Sequence, residues 1–533
     1  MRIRLRKLTT SFCLVVFALL LIPATILIQA NTSRTEIASA LKISSVFPTQ
    51  GIFEGGTDVT IDGVFDSTVN IVQIAAGSGH SLALDDTGKV YAWGHNIRGQ
   101  LGDGGTTNQL SPIAVDTSGV LADKNIVQIA AGEAYSLALD DTGKVYAWGY
   151  NIRGQLGDGG TTNQLSPVAV DTSGVLADKN IVQIAAGYSH SLALDNTGKV
   201  YAWGYNIGGQ LGDGSPTNRL SPVELSTSGI LNDKNIVHIA AGSSHSLVLD
   251  DDGRVYVWGF NGNGQLGDGS VTSRWSPVEL STSGILNDKN IVQIVAGEFH
   301  SLAIDDAYGI YAWGFNNYGQ LGNGGSTDQW SPVEVNTSGA LADKNIVQIE
   351  TGSDHSLALD DDGKIYAWGR NNSGQLGDGS ISVRRSPVEV NTSGALADKN
   401  IVQIVAGYYH SLALDDEGKI YAWGFGGYGQ LGNGSTANQS LPVAVDTDPS
   451  TSALGYTPGN YTVVFDPDGT PTECINIMVV NTNTLTCTTK AHIAEMVDVQ
   501  VSDSTYTYTL FNAFEYTGAI APKIPGVPNT GGK

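Results

Sequence analysis

Tryptophan returns at a fixed interval in this chain. Trp93, Trp148, Trp203, Trp258, Trp313, Trp368 and Trp423 are spaced 55 residues apart, each in a near copy of Lys89-Val90-Tyr91-Ala92-Trp93-Gly94. A constant period of this size marks a repeat architecture, because a unit this short cannot bury its apolar face alone and must stack on copies of itself. The seven copies occupy most of the 533 residues, so they constrain every other inference.

One copy reads as four short strands. Ile71 to Ala76 is β-branched and ends at Gly77, and His80 to Leu84 alternates with period two. Asp85-Asp86-Thr87-Gly88 is hairpin chemistry, with glycine supplying a positive φ. Lys89 to Trp93 forms the third strand, and Pro112 to Val115 a fourth, where proline at the start suits an edge. Four antiparallel strands repeated seven times predict an all-β protein, a seven-bladed β-propeller. In this arrangement Leu82 and Leu84 face one neighbouring blade, and Ala83 leaves room for large groups from the other. Each tryptophan then belongs to the core between blades, where its burial contributes roughly 2–3 kcal/mol.

The order Gly-x-x-His-Ser-Leu-Ala-Leu, Gly-Lys-Val-Tyr-Ala-Trp-Gly-x-Asn and Gly-Gln-Leu-Gly, present with few departures in all seven copies, resembles the repeat of the regulator of chromosome condensation family over residues 70–447. The resemblance implies a seven-bladed propeller. The family's founder is a nuclear guanine-nucleotide exchange factor that binds chromatin. That activity rests on segments outside the repeat motif, with no counterpart here, so exchange regulation is kept only as the alternative function. Secreted bacterial proteins with similar repeats act as protein-binding modules. The departures are Tyr135 in place of histidine, Ala307-Tyr308-Gly309 in the fifth hairpin and Glu350-Thr351 in the sixth copy.

The segments flanking the repeats also read as strands. Residues 43–66, with Gly55-Gly56-Thr57-Asp58-Val59-Thr60-Ile61, resemble the opening of an IPT/TIG domain, and residues 455–517 resemble its later strands. Two strands cannot stand alone. The reading is therefore an immunoglobulin-like β-sandwich with the propeller inserted in one loop, since a closed ring returns its ends side by side. Cys474 and Cys487 are expected to pair: they are the two cysteines left in an exported chain, and members of the resembled family often pair cysteines at these places.

Export is expected from residues 1–30, where four basic residues precede an apolar run from Phe12 to Ile28. Cleavage is preferred to an uncleaved anchor because Pro23 and Thr25 weaken a membrane helix. The location expected is extracellular or at the cell-envelope surface. Membrane contact would come only through that segment or through a C-terminal anchor absent from the sequence. The tail 518–533 is Pro/Gly-rich, and Val527 to Gly531 resembles a sortase wall-anchoring motif without its apolar and basic sequel. The formal net charge of −24 repels phosphate backbones, so nucleic acid is not an expected partner.

Candidates for chemistry resolve into structure. The histidines at 80, 190, 245, 300, 355 and 410 fall one per blade, too far apart to share a metal ion. A hydrogen bond that fixes the turn at the strand's start is the reading taken. The Asp-Asp pairs lack calcium-loop spacing and suit hairpin turns. No nucleophile elbow, phosphate loop or zinc cluster occurs, so neither enzyme nor cofactor is expected.

Binding remains. The starts of the second strands and the ends of the third share one end of the ring, opposite the hairpins. The residues there vary between copies: Tyr150, Tyr205, Phe260, Phe315, Arg370 and Phe425 after Trp-Gly, and Tyr188, Phe299, Tyr408 and Tyr409 before the histidine, with Tyr318 and Tyr428 in the adjoining loop. Aromatic residues on a rigid face are the composition of a protein-binding hot spot. These twelve are the partner-binding candidates, for a protein or alternatively a glycan. A weaker patch is Arg274-Trp275, Gln329-Trp330 and Arg384-Arg385.

Overall fold

The computed structural model describes residues 70–446 apart from 226–228 and 281–283, and the backbone of strands between 42 and 64 and between 462 and 517. The strands fall into two compact units.

The larger unit is the propeller. Each repeat folds into its own four-stranded antiparallel sheet. In the first blade the strands are Ile71–Ala76, His80–Asp85, Val90–Gly94 and Gln109–Ala114. The last blade, from Ile401–Ala406 to Gln439–Ala444, is likewise built from consecutive strands. First strands of successive blades lie side by side around a central channel, and that of blade seven meets that of blade one. The fourth strand begins three residues earlier than expected and pairs through a bulge after Ala92. Pro112 therefore lies inside an edge strand, where its missing N–H costs no ladder bond.

The core is divided between blades as the alternation predicts. Leu82 and Leu84 pack with Ala138, Tyr146 and Trp148 of blade two, whereas Ala83 packs beside Tyr91 and Trp93 against Leu412 and Leu414 of blade seven. All seven tryptophans of the 55-residue period are fully buried. Each indole is also anchored: Trp148 Nε1 donates to the Gln100 carbonyl of the preceding blade at 2.9 Å, and Trp93 closes the ring by donating to the Gln430 carbonyl at 2.9 Å.

Two further belts tie blade to blade. His80 Nε2 lies 3.0 Å from Ser136 Oγ, and that serine donates to the Gln100 carbonyl at 2.9 Å, so the imidazole is the donor to the serine. The pattern runs around the ring through His190–Ser246, His245–Ser301, His300–Ser356, His355–Ser411 and His410–Ser81. Tyr135 takes the histidine's place in blade two, its hydroxyl 3.0 Å from Ser191 Oγ. The histidines thus fix neighbouring blades rather than the local turn. Burial holds each of these imidazoles neutral, with its pKa lowered to about 3.

The second belt uses glutamine. Gln73 Oε1 accepts from Ile129 N at 2.9 Å, and five more glutamines clamp the next blade in the same way. Blade four carries His238 at this position, and its buried Nδ1 has no hydrogen-bond partner.

In the hairpins, Asp140 Oδ1 accepts from Thr142 N, Thr142 Oγ1 and Lys144 N, and its Oδ2 accepts from Tyr146 OH at 2.8 Å. The first aspartate of each pair is thus a buried hub of the turn, as the hairpin reading requires.

In the smaller unit, strands from before and after the propeller pair with each other. Asp58–Val64 runs antiparallel to Thr484–Thr488, and Gln50–Ile52 runs parallel to the end of Thr507–Thr517. One sheet has four strands and the other five. The side chains of Cys474 and Cys487, the segment 1–30 and the tail 518–533 lie outside the described residues.

Candidate binding site at the channel mouth

At one end of the channel each blade makes the same sharp exit. Gly94 has φ 100°, and a Cβ there would stand 2.5 Å from the Gly79 carbonyl oxygen. The next residue, His95, then donates its N–H to that carbonyl at 2.8 Å. The six equivalent glycines have φ between 101° and 107°. The repeated turn thus fixes where seven different side chains emerge: His95, Tyr150, Tyr205, Phe260, Phe315, Arg370 and Phe425.

Inside this circle lies a smaller ring: Ser78, Glu133, Tyr188, Ser243, Glu298, Ser353 and Tyr408. Its backbone is stitched across blades, for example by Glu133 N to the Tyr188 carbonyl and Tyr408 N to the Gly77 carbonyl. Its side chains pair as well. Tyr188 donates to Glu133, whose carboxyl burial pushes above the usual range and this hydrogen bond pulls back. Glu298 accepts from Ser353 Oγ and from the Tyr408 phenol. Burial and these bonds push both phenols well above ordinary tyrosine.

Two cavities open on this mouth. The first, about 480 Å³, has walls that include Arg98, Glu133, Tyr150, Arg153, Tyr188 and Tyr428. The second, about 400 Å³, includes Tyr188, Arg370, Tyr408, Tyr409, Phe425 and Tyr428. Seven of the twelve residues selected from sequence therefore line one or both: Tyr150, Tyr188, Arg370, Tyr408, Tyr409, Phe425 and Tyr428.

The other five lie around them. Phe299, Phe315 and Tyr318 make an edge-to-face row with centroids 6.4 Å apart. Arg370 lies 4.9 Å over Tyr318 and 5.1 Å over Tyr409, and Asp354 fixes it through a 3.0 Å ion pair. Tyr205 carries the Arg153 guanidinium at 4.8 Å, and Phe260 is exposed. In the weaker patch, Trp275 and Trp330 are about half exposed, while Arg274 and Arg384 are held by Asp268 and Asp378.

Residue-type reasoning passed over Arg98 and Arg153. They occupy the same loop position as Tyr318 and Tyr428. Comparing that single column across the copies would have found them. Among the described residues no group of three or more potential ligands is arranged to hold a metal ion.

The fold and its mouth define a seven-bladed ring with one repetitive end and one variable, aromatic end. Residues 54–287 and 119–465 match the RCC1-like domain family. The chain belongs to that family. The ultraviolet-B receptor UVR8 of Arabidopsis thaliana is 33% identical over 391 residues, 73% of this chain and 84% of the receptor. The mitochondrial RCC1 domain-containing protein RUG3 of the same plant is 31% identical over 357 residues, 66% of this chain and 77% of that protein. The human E3 ubiquitin-protein ligase HERC2 is 33% identical over 362 residues, of which this chain spans 7% of the ligase. Among solved structures, Prp20p of Saccharomyces cerevisiae, described with its binding to Gsp1p and histones, superposes with a TM-score of 0.60 at 22% identity. That match covers 77% of this chain and 93% of Prp20p.

These relatives correct the expected location. RUG3 is mitochondrial and Prp20p was characterised with histones. Both point away from the extracellular or envelope-surface placement read from residues 1–30. Among the described residues no helix is long and apolar enough to cross a membrane.

Proposed function

We propose that this chain is a non-enzymatic protein-binding module that recognises its partner at the aromatic mouth of the propeller. One observation carries the reading: seven residues chosen because they vary between copies converge on two adjoining cavities at one end of the channel. Their scaffold is invariant, so recognition is written on a rigid frame, which lowers the ordering cost of binding. The carboxylates at the mouth support binding over catalysis, because Glu133 and Glu298 are engaged by phenols and a serine. Relatives favour a protein partner, Prp20p with Gsp1p and histones among them. HERC2's ligase activity is not carried over, since this chain spans 7% of it. The smaller unit is read as an immunoglobulin-like mount, supported by the pairing of strands from both ends of the chain.

The test is capture of partners by the purified full chain, followed by titration of any partner against a Tyr188→Ala/Tyr428→Ala variant. Binding should fall by about two orders of magnitude, the scale of aromatic hot spots. Unchanged affinity for every captured partner would place recognition elsewhere.

A further inference from the structure

We infer that the cavity between blades one and three takes the carboxylate of an acidic protein segment, held by Arg98 and Arg153. This rests on the mouth being the binding face and names the chemistry it reads.

Four other mouth-side arginines are neutralised: Arg219, Arg274 and Arg384 sit 2.7 Å from Asp213, Asp268 and Asp378, and Arg370 sits 3.0 Å from Asp354. A chain with 52 acidic residues against 28 basic ones has carboxylates to spare. Among the described residues Arg98 and Arg153 nevertheless have no ion-pair partner within 4.0 Å. Each instead lies over a ring of the next blade, Arg98 at 5.2 Å from the Tyr150 centroid and Arg153 at 4.8 Å from that of Tyr205. A guanidinium held over a ring is not neutralised by it, and its planar fork of N–H donors can take a carboxylate in two parallel bonds.

Both arginines border the same cavity of about 480 Å³. The one carboxylate in its wall, Glu133, already accepts from Tyr188. The cavity therefore sets two arginines against one carboxylate, which acts on Arg98 and is shared with the Tyr188 phenol, so a positive charge is left over. Ile97, more than half exposed on the same rim, adds an apolar contact beside them. The repeat pattern makes the pair specific to this sector: the same loop position carries Gly208, Asn263, Tyr318, Ser373 and Tyr428 in the other blades. The net charge of −24 disfavours a nucleic-acid occupant, whose phosphates meet repulsion along their whole length. A short acidic segment of a protein presents its charge only where the two cations are.

The probe is a fluorescein-labelled peptide of alternating glutamate and leucine, with a glutamine-for-glutamate control and a single-stranded RNA of equal charge, each titrated by anisotropy against the full chain. The glutamate peptide should bind at least about tenfold more tightly than the glutamine control, and Arg98→Ala/Arg153→Ala should remove that preference. Arg254→Ala, at the hairpin end, should leave it intact. Should the alanine variant fail to fold, Arg98→Lys/Arg153→Lys keeps the charge and loses the fork, and it should weaken the glutamate peptide several-fold. Equal binding of the two peptides, no binding of either, preference for RNA, or indifference to the arginine substitutions would overturn the assignment. A captured partner that loses affinity with Tyr188→Ala/Tyr428→Ala but not with the arginine variants would preserve the mouth as the binding face and sink only the carboxylate reading.

Discussion

The two ends of the propeller are made by the same seven strands and follow opposite rules. At the hairpin end the first aspartate of each turn repeats in every copy, and it bonds its own turn and the adjoining strand, as Asp140 shows, joined in four copies by a lysine of the segment leading into the blade. At the mouth the corresponding positions carry serine, glutamate, tyrosine, histidine, phenylalanine or arginine, and the inner ring among them bonds across blades, as Glu133 N does to the Tyr188 carbonyl. A repeat can afford variation only where the backbone is already determined. The positive-φ glycine and the buried tryptophan before it do that work, leaving the following side chain free to differ.

Acid should separate the two ends most strongly. The six belt histidines have folded pKa values of about 3, below the 6.5 of an exposed imidazole, because burial disfavours their charge. The unfolded chain therefore binds more protons between these values, and stability falls as pH drops from 6.5 toward 3. Each site contributes on the order of 1–2 kcal/mol by pH 5. Glu350, whose pKa burial raises to about 8, works in the opposite direction but is one group against six. At the hairpin end, the Asp140 and Asp195 carboxylates are raised by burial but lowered further by their hydrogen bonds, ending below the usual value. Their stabilisation is present above 3.8 and is lost only as pH falls below it. Chemical denaturation at stepped pH should show most of the loss between 6.5 and 4. A flat profile over that interval would mean that the belt tolerates charge.

Removing one hub at the hairpin end is the next largest effect. Asp140→Ala leaves the buried Tyr146 hydroxyl and the turn's N–H groups without their acceptor. We expect a loss of about 3 kcal/mol by thermal or urea unfolding, with partner affinity unchanged. The mouth should behave in reverse. Tyr188 and Tyr428 are among its most exposed aromatics, so their joint replacement by alanine should cost about 1–2 kcal/mol of stability, chiefly from the Glu133 carboxyl that loses the Tyr188 phenol, while weakening binding. Equal stability losses at the two ends would remove the distinction between frame and reader.

Much of this was legible in the sequence because repetition multiplies the signal. Seven copies fixed the strand order, the burial of the tryptophans and the sidedness of the mouth, all of which depend on period and alternation. What escaped depended on relations between copies. The histidine's partner is a serine 56 residues away, on the next blade, and no pattern within one repeat points to it. Arg98 and Arg153 were overlooked because each looks like an ordinary loop cation. Their significance comes from the tyrosine of the following blade and from having, among the described residues, no ion-pair partner within 4.0 Å. The location failed for a different reason: an apolar run after basic residues is a local pattern, and relatives spanning the propeller outweigh it.

The smallest predicted effect lies at the one break in the glutamine belt. In five of the six glutamines the amide offers both an acceptor and a donor to the next blade: Gln348 Oε1 accepts from Ile404 N at 2.9 Å while its Nε2 donates to the Ile404 carbonyl at 2.8 Å. An imidazole has the two functions on different edges of a ring and cannot direct both at one peptide unit. His238 accordingly leaves its buried Nδ1 unpaired, and burial lowers its pKa to about 4. His238→Gln should restore the clamp onto Ile294 and raise stability by about 1 kcal/mol at pH 7, the net worth of one added hydrogen-bonded pair. The gain should grow as pH falls through 6.5, because the variant also removes a group that the unfolded chain protonates more readily. Thermal unfolding at pH 7 and pH 5 measures both parts. A destabilised variant would show that blade four has adapted its packing to the imidazole, and that the belt is less uniform than its six intact members suggest.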